Sequence, residues 1–201
     1  MPARVFVAIE LPRETRQLIS GAVETFLTLE PSWRGEKPVA PDLLHVTLAF
    51  LGAVPEVSLA PLLERLRCAL EPIAPFDLTL SGARAVPSRG HASMLWATLS
   101  GAEGDAALLA SSIRREAAIP PDGRPFRAHV TLARSRRPRP ITASAVETCS
   151  LVLSDAGKAV DRTVSVHSAT VFSSTLGAAG PAYDRLAVLT LGTAGHSTAA
   201  R

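Results

Sequence analysis

The pentapeptide His-Val-Thr-Leu-Ala occurs twice in this chain, at His45–Ala49 and again at His129–Ala133. In a chain of 201 residues with this composition, a chance repeat of that length has odds on the order of a few per cent, and one containing histidine fewer. Each copy follows a proline-containing loop and reads as a strand. Residues i and i+2 of a strand project from one face. His45 and Thr47 therefore point together, and Val46 and Leu48 point to the other side, the side of a core. His129 and Thr131 repeat the arrangement. Both copies are entered in the order helix, loop, pentapeptide, which predicts two related lobes. If the two strands meet across a pseudo-twofold axis, two imidazoles and two hydroxyls converge on one cleft.

The rest of the chain reads as short elements of mixed type. Val5 to Ile9 is a predicted strand with Val5, Val7 and Ile9 on one face and Phe6 on the other. Pro12 opens a predicted helix over 13–29, with Leu18, Ala22, Phe26 and Leu29 at helical spacing. Pro31 to Pro41 is a loop, and the strand of the first pentapeptide runs from His45 to Phe50 and ends at Gly52. Glu56 to Leu70 is a helix with Leu59, Leu62, Leu63, Leu66 and Leu70 on its apolar face. Strands are predicted at Phe76–Ala85 and Met94–Leu99, joined by a polar loop through Pro87, Arg89 and Gly90. A helix follows at Glu103–Ala117, then a turn-rich loop from Pro120 to Pro125 and a strand at Phe126–Ala133. The stretch 141–153 reads as helix. Val164–Phe172 and Tyr183–Leu191 read as closing strands linked by a Gly-rich loop, Leu176 to Pro181. Strands this short and closely joined predict an α+β fold with mainly antiparallel sheets.

Composition excludes several classes. Hydrophobic residues make up 47% and charged residues 19%, which does not fit a disordered chain. The opening MPARVFVAIELP is interrupted too early by Glu10 for a signal peptide, and no apolar run approaches the ~20 residues of a membrane span. Cys68 and Cys149 stand alone, so a reducing cytoplasm is the expected setting. The net charge is +3 and carried almost wholly by Arg, with Lys only at Lys37 and Lys158. Arg suits bidentate contact with phosphate or carboxylate. Aromatics are 4%, so any ring in a site is a scarce resource. Residues 1–191 read as a single bilobal domain, and 192–201 as a frayed tail.

Two histidines near pKa ~6.5 supply one base and one acid at neutral pH. Two threonine hydroxyls donate to non-bridging oxygens. Neither motif brings the carboxylates of a divalent-metal site or a third zinc ligand, so no metal or cofactor is expected. The set matches in-line attack at a phosphodiester: one His activates water and the other protonates the leaving oxygen.

The pair HVTLAF and HVTLAR resembles the twin H-x-T-x motifs of the 2H phosphoesterase superfamily. RVFVAIELP, PSWRGEKPVAPDLLHVTLAFLG, RPFRAHVTLAR and VFSSTLGAAGPAYDRLAVLTL extend the resemblance, over nearly the whole chain, to its RNA 2′,3′-cyclic phosphodiesterase family, historically the 2′-5′ RNA ligases. The resemblance implies a bilobal 2H phosphoesterase-like fold, with two pseudo-symmetric lobes of antiparallel sheet around a central cleft and helices outside. It implies metal-independent hydrolysis of RNA or nucleoside 2′,3′-cyclic phosphate to the 2′-phosphate. His45 would be the general acid and His129 the general base, although a pseudo-symmetric site reads alike either way round. Thr47, Thr131 and Arg134 would bind the phosphate. On a regular strand an offset of five turns Arg134 away from His129, so it reaches the cleft only if the strand ends, bulges or turns near Ala133. Arg127, at an even offset, shares the face of His129 and is the alternative phosphate ligand. Phe6 matches an aromatic that the family uses to stack a nucleobase, worth roughly 1–3 kcal/mol.

The sequence departs from the family pattern at Ala49, where a basic residue often follows the first motif. It departs again at Ser173 and Ser174, where a Glu-Ser pair is usual. His91, His167 and His196 match no motif and read as surface residues. The expected partners are RNA ends or nucleotides bearing a 2′,3′-cyclic phosphate, bound by a monomer with no membrane. Three other functions use the same cleft: 2′-5′ ligation, phosphodiester hydrolysis on small cyclic nucleotides, and nucleotide or RNA binding without turnover.

Overall fold

A computed structural model describes residues 3–36, 38–87, 91–120, 123–155, 162–177 and 180–192. In chain order the elements are β1 (Ala3–Glu10), α1 (Arg13–Leu29), β2 (His45–Val54), α2 (Glu56–Leu70), β3 (Phe76–Val86) and β4 (His91–Gly101). There follow α3 (Glu103–Glu116), β5 (His129–Pro140), α4 (Ala143–Asp155), β6 (Thr163–Val166), β7 (Ser168–Gly177) and β8 (Gly180–Thr190). Single 3-10 turns at Pro31–Trp33 and Pro41–Leu43 shape the proline-rich loop before β2.

The strands form one eight-stranded sheet in the order β6-β3-β4-β5-β2-β1-β7-β8. Every neighbouring pair is antiparallel. The two pentapeptide strands lie side by side at its centre and share one residue pair, Val46 with Val130. Both are the second residue of the repeat, so the pseudo-twofold axis passes beside this pair. Beyond it the strands diverge and the sheet curls into two halves, the two lobes that the repeat predicts. α1 packs with α4 over β3 and β5, and α2 packs with α3 over β2 and β8. Helix α1 thus leaves one half of the sheet to cover the other, and α3 does the converse, which interlocks the lobes.

The buried face follows from alternation. Val46, Leu48, Val130 and Leu132 enter the main core, while Phe6, Ala8 and Phe172 form a separate small cluster on the opposite, concave face. The parity assigned to Phe6 holds. On α1 the buried stripe is Thr15, Ile19, Ala22, Val23 and Phe26. The expected Leu29 is instead 48% exposed, because the core-facing stripe is turned by one residue from the predicted one. On α2, Leu62, Leu66 and Leu70 are buried as expected, with Leu59 and Leu63 packed at the margin.

Several boundaries differ for physical reasons. β2 does not stop at Gly52 but continues to Val54. Gly52 has φ of 73°, and the pairing with β1 skips Leu51 there, so the glycine bends the strand rather than ending it. β5 starts at His129, not Phe126, and runs through Pro138 to Pro140. There it pairs with β4 through Ala92–Arg139 and His91–Pro140, and prolines are tolerated where one side of a strand makes no ladder. The single strand expected at 164–172 is two, broken at His167. β6 joins β3 near one edge of the sheet and β7 joins β1 near the other, so the chain turns a corner at His167, whose carbonyl accepts from Leu191 N–H at 2.8 Å. Strands β7 and β8 pair as far as Gly177–Gly180, inside the expected loop. Gly192, placed in the tail, donates its N–H to Ile73 at 2.9 Å and has no room for a side chain against the Glu71 carbonyl. His91 and His167 are exposed; His196, Arg89, Gly90 and residues 193–201 lie outside the described residues.

Glu30, only 5% exposed, links α1 to α4: its carboxylate accepts from Thr142 N–H and from the Thr142 hydroxyl, both at 2.5 Å. Removing a buried acceptor leaves both donors unpaired, a cost of roughly 1–3 kcal/mol. Glu30→Ala is expected to lower the unfolding free energy by that amount, read as a lower urea midpoint at an unchanged m-value, and a wild-type midpoint would show that water replaces the carboxylate.

Candidate active site

The two pentapeptides reach the same geometry by the same irregularity. The burial patterns of β2 and β5 agree over their first nine residues, with half-buried His, Val inside, half-buried Thr, then Leu and Ala both inside. Two consecutive inward residues are impossible on a regular strand. The pairing shows why: β1 passes from Ala8–Thr47 to Val7–Ala49 and skips Leu48, and β4 passes from Trp96–Thr131 to Leu95–Ala133 and skips Leu132. Each copy therefore carries a bulge after its threonine, and the bulge reverses the parity of the residues beyond it. Phe50 and Arg134, both five residues after a histidine, return to the concave face. This is the bulge near Ala133 that a phosphate-facing Arg134 requires.

The bulge on β5 is braced by the proline-rich loop. Val39 N–H donates to the Leu132 carbonyl at 2.8 Å, and Pro38 bridges Ala133. Glu36 holds the same loop to β5 by accepting from the Ser135 hydroxyl at 2.9 Å and pairing with Arg139 at 2.9 Å. The Ser135 bond, then the Arg139 contacts, hold the Glu36 carboxyl below its ordinary range.

Each imidazole is anchored through the carbonyl two residues before it. His45 Nδ1–H donates to Leu43 at 2.7 Å and His129 Nδ1–H to Arg127 at 2.8 Å. A carbonyl only accepts, so Nδ1 carries the proton in the neutral ring and Nε2 is the unprotonated, basic nitrogen in both. His45 Nε2 lies 3.0 Å from Thr47 Oγ1, whose hydroxyl donates to the neutral ring. The antiparallel register set by Val46–Val130 brings His45 opposite Thr131 and Thr47 opposite His129. The four groups thus lie on one face of the two central strands, with both threonines bordering the cavity beside each histidine.

The two halves of the cleft have different walls. The half beside His45 is a cavity of about 570 Å³ that Phe6, Phe50 and Tyr183 line together with Arg4 and Arg134. The half beside His129 is about 700 Å³ and holds Trp96 and Phe126 among Arg84, Arg114, Arg124 and Arg127. Thr47, Phe50, Thr131 and Arg134 border both. Six of the chain's nine aromatic side chains lie in this cleft or its floor, which is where the scarce rings are spent.

All seven residues singled out from the sequence border the cleft, but two stand differently from the rest. Phe6 is 3% exposed and forms the floor, packed on Phe172 at 5.2 Å, Tyr183 at 4.9 Å and His45 at 5.1 Å. Phe50, 67% exposed at the lip, and the half-buried Tyr183 offer more ring surface to a ligand. Arg127 precedes β5, is exposed, and lies only in the half beside His129. The sequence reading missed Trp96, Phe50 and Tyr183. Phe50 had a signal, since it occupies in the first repeat the place of Arg134 in the second.

Burial holds both imidazoles below their ordinary value, against the opposing bonds from Leu43 and Arg127; the charge of Arg134 lowers both further, and His129 adds to the effect on His45. Burial also raises the Tyr183 phenol, which stays a neutral donor. A site that disfavours two imidazolium ions and holds a guanidinium between them is short of one anion. Among the described residues no group of His, Cys, Asp and Glu is arranged to hold a metal ion, and no helix is long and apolar enough to cross a membrane.

NMR titration of the imidazole protons is expected to give both midpoints below 6.5, and inorganic phosphate should raise both. Arg134→Gln should also raise both, and midpoints unmoved by that change would place the guanidinium outside the cleft. Because both folded values lie below the unfolded one near 6.5, the stability this burial confers is complete above that pH. It is lost as pH falls through the folded values.

Known proteins resemble this chain in sequence and fold. The family described as LigT like Phosphoesterase matches residues 9–96 and 100–183. A protein of Thermus thermophilus named RNA 2′,3′-cyclic phosphodiesterase is 36% identical over 144 residues, covering 68% of this chain and 71% of that protein. One of the same name from Archaeoglobus fulgidus is 31% identical over 152 residues, 71% and 78% of the two chains. The crystal structure of Escherichia coli LigT complexed with 3′-AMP superposes with a TM-score of 0.66 at 27% identity, covering 96% of this chain and all of that one. With both motifs inside the matched segments, this chain belongs to the LigT-like phosphoesterases.

Proposed function

We propose that this protein hydrolyses the 2′,3′-cyclic phosphate of RNA ends or nucleosides to the 2′-phosphate. The observation that carries the reading is the pair of histidines and pair of threonines on one face of the central strands, with Thr47, Thr131 and Arg134 bordering the cavities beside both histidines. The phosphate sits between Thr47 and Thr131, with Arg134 across both halves of the cleft. Water enters from the side of His129, whose Nε2 takes its proton as the water oxygen bonds to phosphorus. The bond from phosphorus to the 3′ oxygen breaks on the opposite side, and His45 Nε2–H protonates that oxygen. The two threonines and Arg134 neutralise the charge that grows on the non-bridging oxygens, and they are already in place before reaction. His129 ends protonated and His45 neutral, and exchange with solvent resets them. The reading is supported by relatives named RNA 2′,3′-cyclic phosphodiesterase and by the Escherichia coli LigT structure, a complex with the nucleotide 3′-AMP.

The aromatic half of the cleft suits the terminal nucleoside, with Phe50 and Tyr183 as stacking surfaces over the Phe6 floor. The arginine-rich half supports an RNA chain as substrate over a free nucleotide, because a basic groove with interleaved rings follows a single strand. We read residues 1–191 as one bilobal domain that acts as a monomer in a reducing cytoplasm. Free Cys68 and Cys149 suit that setting, and burial pushes the Cys149 thiol up to about 12, which leaves it inert.

The test is turnover of a nucleoside 2′,3′-cyclic phosphate with EDTA present, expected to give the 2′-phosphate alone. Exclusive 3′-phosphate would contradict the assignment of the leaving oxygen, and loss of all activity under EDTA would mean a metal enzyme. His45→Ala and His129→Ala should each lower kcat by at least ~10²-fold. The profile of kcat/KM against pH should be a bell whose two limbs both lie below the ordinary histidine range, because both free imidazoles are depressed. A flat profile would remove the histidine pair from the mechanism.

A further inference from the structure

The pseudo-twofold axis offers each lobe the same slots, and the sequence fills one of them differently. Ala8 pairs with Thr47 across β1 and β2, and Trp96 pairs with Thr131 across β4 and β5. Ala8 and Trp96 are therefore equivalent positions. The difference falls on the histidines. The Trp96 indole lies over the His129 ring with centroids 3.8 Å apart and planes within 23°. Among the described residues His45 has no such partner: Tyr183 meets it edge-on at 83° and 5.5 Å, and Phe6 is tilted at 5.1 Å.

We propose that Trp96 is a positioning residue that fixes the His129 ring and stabilises its imidazolium by cation–π contact, making His129 the proton acceptor of the pair. The inference rests on the two-histidine reading above. A base gains charge in the transition state and an acid loses it. Catalysis is helped when the cation is favoured at the base and disfavoured at the acid. An indole face is the best π-surface for a cation. The charge of Arg134, on its own strand, opposes it, and the cavity around His129 is lined by Arg84, Arg114, Arg124 and Arg127 and by no carboxylate among the described residues; His45 stands across the axis on β2. Against those cations, the indole face and the Arg127 carbonyl are the contacts that favour a charged ring. Trp96 also buries its Nε1–H with no hydrogen-bond partner among the described residues, a cost that phenylalanine would not carry if the position required only bulk.

The test is NMR titration of both histidines in the full chain, in wild type, Trp96→Phe and Trp96→Leu. Leucine keeps an apolar cover but removes the π-face. The His129 midpoint is expected to fall by about half a pH unit in Trp96→Leu, by less in Trp96→Phe, and the His45 midpoint to stay. The acid limb of kcat/KM should move with His129, and Trp96→Phe should restore most of the loss in kcat. In a Trp33→Phe background the remaining indole fluorescence should titrate with His129. An unchanged or raised His129 midpoint in Trp96→Leu, or equal movement of both histidines, overturns the proposal. If Trp96→Leu does not fold, the smaller fall in Trp96→Phe is required by itself. These titrations need no turnover, so a wild-type protein without hydrolytic activity would defeat the functional reading and leave this one separately decided.

Discussion

The structure depends on one backbone pairing. Among the described residues the central strands pair in register at Val46 and Val130, and each is the same residue of a repeated pentapeptide. Side-chain alternation then does the rest. With the valines in the core, the residues on either side must face the cleft, and antiparallel pairing sets each His against the other copy's Thr. A slip of either strand by one residue would turn its imidazole into the core beneath the helices. The chemistry and the core are thus specified by the same register, and the helices that cross from one half of the sheet to the other hold it.

The second constraint is the matched bulge. An extra residue in each strand, at Leu48 and Leu132, returns Phe50 and Arg134 to the concave face. The same device yields opposite chemistry: an exposed ring at the lip of the cleft and a guanidinium bordering both of its halves. The lobes are alike in backbone and differ in what they present, and that difference turns a symmetric scaffold into a site with a direction. The brace from Val39 to the Leu132 carbonyl satisfies a group that the bulge frees, so the proline-rich loop before the first motif also supports the second.

Much of this was legible in the residues. The repeat, its parity and the convergence of His45, Thr47, His129 and Thr131 follow from period-two alternation alone. The bulge left a trace too, since Leu-Ala after each Thr places two apolar residues where alternation allows one. The features that could not be read lie in long-range pairing. Nothing local distinguishes a strand that ends at Gly52 from one that bends there. Nothing local reveals that Val164–Phe172 serves two separated strands across a corner at His167. Phe6 showed its face but not its burial, because Phe172 and Tyr183, which cover it, come from the far end of the chain. Trp96 was silent for the same reason: its partner is set by the register of β4 on β5.

The mechanism stands or falls on two histidines of a pseudo-symmetric pair addressing opposite sides of one phosphorus. A crystal structure with a nucleoside 2′,3′-cyclic vanadate, whose five-coordinate centre mimics in-line displacement, would show this at the atoms concerned. Apical oxygens are expected within hydrogen-bond distance of His45 Nε2 on one side and His129 Nε2 on the other, with Thr47, Thr131 and Arg134 on the equatorial oxygens. Vanadate bound with both imidazoles on one side, or held away from the two threonines, would contradict it.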